Sequence, residues 1–89
     1  MTWTFVKIRR DLPELPGLVA LYRLSKGVRY KDSDRDRLTE YVAVYTVPLG
    51  AFSKTFVFPA DRKGNLLSDS DLVQGVNHED ALSKLEELS

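Results

Sequence analysis

Tyr41-Val42-Ala43-Val44-Tyr45-Thr46-Val47 consists of β-branched and aromatic residues with a single alanine among them. Such side chains fill a pleated surface that is packed on both sides, so the stretch predicts a central strand over residues 39–49. Working outward, residues 18–25 alternate. Leu18, Ala20, Tyr22 and Leu24 share one face, while Val19 and Leu21 share the other with Arg23. Residues 2–9 alternate as well, with Thr4, Val6 and Ile8 on one side and Trp3, Phe5 and Lys7 on the other. Between these two stretches, Asp11-Leu12-Pro13-Glu14-Leu15-Pro16-Gly17 carries two prolines and a glycine, which remove backbone donors and force a turn or an extended crossing. A fourth strand is expected over 54–59. Phe56 and Phe58 lie on one face, Thr55 and Val57 on the other, and Pro59 marks its end.

The chain then changes character. Asp61-Arg62-Lys63-Gly64-Asn65 reads as a polar turn, and Ser68–Asp71 leaves room for at most one helical turn before Gly75. Residues 78–88 predict a helix. Asn77 stands at the capping position, Asp80 follows three residues later, and Glu79 and Asp80 suit the positive end of the helix dipole. Ala81, Leu82, Leu85 and Leu88 form one apolar stripe, and an 11-residue helix is marginal in water unless such a stripe docks. The expected fold is therefore α+β: a four-stranded, mainly antiparallel sheet with one C-terminal helix packed on one face. The other face, carrying several aromatics, is left for a second copy or another partner, which allows a homodimer through it.

With 89 residues, 43% of them hydrophobic and 29% charged, the chain fits a single globular domain of modest stability. It has no cysteine, which removes disulfides, thiolate metal sites and cysteine nucleophiles. No stretch approaches the roughly 18 apolar residues of a membrane span, and the first ten residues do not read as a signal peptide, so a cytoplasmic location is expected. Net charge is zero but unevenly distributed. Residues 1–60 hold 10 Lys/Arg against 6 Asp/Glu, and residues 61–89 hold 3 against 7.

Chemistry-bearing patterns are sparse. Asp32-Ser33-Asp34-Arg35-Asp36 has the spacing that opens a calcium loop, but Arg37 stands where glycine is needed and Ala43 where the bidentate Glu is needed. His78 is the only histidine, reads as an exposed surface residue, and cannot build a zinc site alone. The five glycines are too scattered for a phosphate loop. No catalytic residue, cofactor or metal is expected, and the chain reads as a non-enzyme. The 13-residue connection 26–38 is longer than hairpin loops usually are. Its Arg29, Tyr30, Lys31, Arg35 and Arg37 form the candidate interaction surface. Bases with an aromatic can grip phosphates and stack a nucleobase, but Asp32, Asp34 and Asp36 repel phosphate. Protein binding and a bare mobile loop are therefore ranked equally, above nucleic-acid binding, for this segment.

The succession Met1–Gly17, Ala20–Ser25, Glu40–Val44, Phe56–Asp61 and Asn77–Leu82 resembles a family of small proteins encoded by bacteriophages of actinobacteria, most specifically around Trp3 and Phe58. The resemblance implies an accessory protein made inside the infected bacterium. It brings no activity and no catalytic residues with it. The absence of catalytic groups, with more apolar strand surface than one short helix can cover, makes a host or phage protein the expected partner.

Overall fold

The structure, a computed structural model, describes residues 3–88. The stretch around Tyr41–Val47 forms the middle of the sheet, as its composition demands. The elements are β1 (Trp3–Arg9), β2 (Val19–Asp32), β3 (Arg35–Leu49), β4 (Phe52–Ala60), β5 (Val73–Gly75) and α1 (His78–Leu88). All five strands join one sheet in the order β1-β2-β3-β4-β5, each antiparallel to its neighbour. The sheet thus has one strand more than expected. β5 is only three residues long, too short to show an alternation pattern.

The largest departure lies at residues 26–38. They are not a loop. β2 and β3 run on through them as a two-stranded arm, pairing from Val28↔Thr39 to Asp32↔Arg35, and only Ser33-Asp34 turn. Ser33 takes a positive φ of 58° to close that turn. At the root of the arm, residues 24–27 of β2 oppose the single Glu40 of β3, a wide bulge in which Gly27 adopts φ +74°.

The two faces of the sheet bury separate cores. On one, Ala20, Leu24, Val42, Val44 and Val57 meet Ala81, Leu82 and Leu85 of α1. On the other, Val19, Leu21, Ala43, Phe58 and Ala60 meet Leu12 and Leu15 of the β1–β2 connection. The second face is therefore sealed there by the chain's own crossing rather than left bare. The Tyr45 hydroxyl pins that crossing by donating to the Pro16 carbonyl. Each fully buried leucine contributes roughly 1.5–3 kcal/mol relative to exposure, which is why two leucines suffice to hold a proline-rich segment down.

A bulge at Val6 also corrects the face assignment in β1. The register slips between Phe5↔Tyr22 and Lys7↔Leu21, so Ile8 pairs with Ala20. Trp3, Phe5 and Ile8 thus lie on the helix side, while Lys7 and Arg9 lie on the crossing side. Arg9 uses that position as a staple. It pairs with Asp11 at 2.7 Å and donates to the Lys63 carbonyl at 2.6 Å, tying β1 to the 61–65 turn. The Asp11 carboxyl is held below its usual range by the Arg9 hydrogen bond.

Candidate interaction surface

The arm carries all five residues singled out from the sequence, and the structure does not gather them. β1 ends its pairing at Leu24 and β4 at Tyr41, so residues 28–32 and 35–39 pair only with each other. Opposed residues share a face and successive pairs alternate. Arg29 and Lys31 therefore project from one side, while Tyr30, Arg35 and Arg37 belong to the other. Tyr30 is only 8% exposed, so its ring is not free to stack on a base. The aspartates partner the bases: Lys31 lies opposite Asp36, Asp32 lies opposite Arg35, and Asp32 forms a 3.0 Å ion pair with Arg37. Asp32 and Asp36 lie on opposite faces and cannot converge on one cation. Among the described residues, no three His, Asp or Glu side chains form a metal-holding group.

The two edges of the sheet present different surfaces. Along β4, the outer backbone is occupied. β5 pairs with residues 55–57, Leu72 N–H donates to the Val57 carbonyl at 2.7 Å, and Leu67 N–H donates to the Pro59 carbonyl at 2.9 Å. Along β1, no other described segment pairs with the outer side. This open strand exposes 51% of Phe5 and 45% of Ile8, with Val6 and Leu18 exposed nearby. An unpaired edge with apolar side chains is a template for an added strand.

Behind β1, the start of α1 is built tightly. Asn77 Oδ1 caps the helix by accepting from Asp80 N–H at 2.8 Å. Asp80 Oδ2 in turn accepts from Val76 N–H at 3.0 Å, one residue before the position a capping box uses. That hydrogen bond, together with Lys84, holds the Asp80 carboxyl below its usual range. β5 approaches so closely that a Cβ on Gly75 would lie 2.6 Å from Ala81 N. His78, expected to be exposed, is half-buried instead. Its Nδ1 lies 3.2 Å from the Tyr22 hydroxyl, and Tyr22 packs edge-on against Phe5. Desolvation pushes the His78 pKa down and the Tyr22 pKa up, and the pair links α1 to the open edge. Tyr22 and His78 are 56 positions apart, and no local pattern announces their contact.

No family model matches the chain, and neither the curated proteins nor the solved structures contain a match. No helix among the described residues is long and apolar enough to cross a membrane.

Proposed function

We propose that the chain is a non-enzymatic accessory protein of an actinobacterial phage, acting in the host cytoplasm by binding a host or phage protein and modulating it. The observation that carries the binding reading is the open β1 edge, where half-exposed Phe5 and Ile8 flank an unpaired strand backbone. A partner segment adding there gains main-chain hydrogen bonds from the edge and apolar contacts from alternate side chains. β1 contains no acid, and with Arg9 engaged by Asp11 its Lys7 is the charge that favours a partner strand carrying acidic residues.

The alternative, nucleic-acid binding by the arm, draws on exposed Arg29, Lys31, Arg35 and Arg37. It is weakened by buried Tyr30 and by aspartates set against three of those four bases. The test is affinity capture from actinobacterial host lysate, with and without phage infection, using wild-type chain and Ile8→Lys in parallel. A specific protein retained by the wild type and lost with Ile8→Lys supports the proposal. Capture that Ile8→Lys leaves unchanged removes the edge from it. Retention of nucleic acid alone, weakening steeply with salt, selects the alternative.

A further inference from the structure

The extra residue in β1 decides what the open edge fits best. Val6 and Lys7 together oppose the single Leu21 of β2, so Phe5 and Ile8, opposite Tyr22 and Ala20, both lie on the helix side. Thr4 and Arg9, opposite Arg23 and Val19, both lie on the crossing side. From Thr4 to Arg9 the order of faces is therefore the same read forwards and backwards. An ordinary strand added outside β1 would leave the extra residue without a counterpart, as β2 does. An inverted copy of β1 carries that residue in the same place and pairs rung for rung.

A two-fold axis perpendicular to the sheet, passing between Val6 and Lys7, produces that pairing. It sets Phe5 against Ile8 of the second copy and Ile8 against Phe5 of the second copy, while Val6 meets Lys7 and Thr4 meets Arg9. The half-exposed aromatic and aliphatic side chains then cover each other on the helix side and extend the edge-on packing of Phe5 with Tyr22 into the second copy. No base stands directly opposite a base, and Arg9 is already engaged by Asp11 at 2.7 Å. The chain has no net charge, so nothing repels a second copy at long range.

We propose that β1 pairs in this register with β1 of a second copy, so that homodimerisation masks the edge and a protein partner must displace the second copy. This rests on the reading of β1 as the partner-binding edge and adds its regulation. A ladder of seven residues is a small interface, so the dimer is weak: the edge is masked in concentrated protein and open in dilute protein. Lys7 gives a partner the advantage. An acidic residue on an incoming strand can pair with it, where the second copy offers only Val6.

Sedimentation equilibrium of the whole chain, from about 1 µM to about 1 mM, tests the proposal. The average mass should rise from 10.1 kDa towards twice that value. Val6, 42% exposed, reads the register. Val6→Asp faces Lys7 of the second copy at two symmetric places and should lower Kd about threefold or more. Val6→Lys creates two like-charge contacts and should raise Kd about tenfold or more, and the double variant V6K/K7E should recover the dimer. Circular dichroism should be unchanged in all three. Val6→Asp also repels an acidic strand, so it should weaken partner capture while it tightens the dimer, and the two readings fail separately. A chain that stays at 10.1 kDa throughout overturns self-pairing and leaves partner capture to stand or fall on Ile8→Lys. A dimer indifferent to Val6→Asp and Val6→Lys overturns it as well.

Discussion

The two margins of this sheet are treated in opposite ways. At the β4 margin, the chain covers its own backbone: β5, Leu67 and Leu72 take the outward hydrogen bonds, and α1 rests so close that only a glycine fits at position 75. At the β1 margin, the chain stops. It leaves Phe5 and Ile8 half in water beside an unpaired backbone, protected only by a bulge at Val6 and by Lys7. Stability is concentrated at the first margin and availability at the second. A small domain with no disulfide needs its few tight contacts for folding, so a margin left open is one that can be used without unfolding the rest.

The sharpest way to break this contrast is Gly75→Ala. A methyl group 2.6 Å from Ala81 N must push α1 off β5, so the substitution should cost about 3 kcal/mol and lower Tm by roughly 15 °C. An unchanged Tm would mean that the closed margin is loosely packed. Next in size, Asn77→Ala removes the acceptor for Asp80 N–H and should cost about 1 kcal/mol in urea or thermal unfolding.

A smaller effect is expected from acid. His78 has its folded pKa lowered by burial, so the unfolded chain takes up the proton first. Stability should therefore be full above an ordinary His pKa of about 6.5 and decline as pH falls below it. His78→Gln should flatten that decline between neutral pH and the carboxylate range. A decline that persists unaltered in His78→Gln would show that it does not arise from burial of His78. Smallest of all, Ile8→Lys at the open margin should change stability by less than about 0.5 kcal/mol. A loss as large as that of Gly75→Ala would mean that β1 is buried rather than available.

The parts of this fold legible from sequence are those written in local chemistry. Residues 41–47 announce a packed strand by composition, and Asn77 with Glu79, Asp80 and the Ala81–Leu85 stripe announces a helix whose bounds match at His78 and Leu88. The arm is misread because its strands are charged. Arg29, Lys31, Asp32, Arg35, Asp36 and Arg37 resemble solvated loop residues until their register is known. In the paired strands, opposite charges face each other about the Ser33-Asp34 turn, as at Lys31↔Asp36 and Asp32↔Arg35. That mirror pattern of charges was the available signal. The face assignment in β1 fails because one extra residue at Val6 reverses every position beyond it. Coverage of the second face by Leu12 and Leu15 was hidden by their prolines, which signal a turn without saying where the turn docks. Of the candidate residues, burial of Tyr30 and the contact of His78 with Tyr22 depend on tertiary packing alone.

Amide hydrogen exchange, resolved residue by residue in dilute protein, compares the two margins most directly. Leu67, Leu72 and the paired amides of β4 should exchange slowly, while alternate amides along β1, those turned away from β2, should exchange at nearly the rate of an unstructured chain. Uniformly slow exchange through Trp3–Arg9, matching β4, would contradict an open margin and with it the binding surface proposed there.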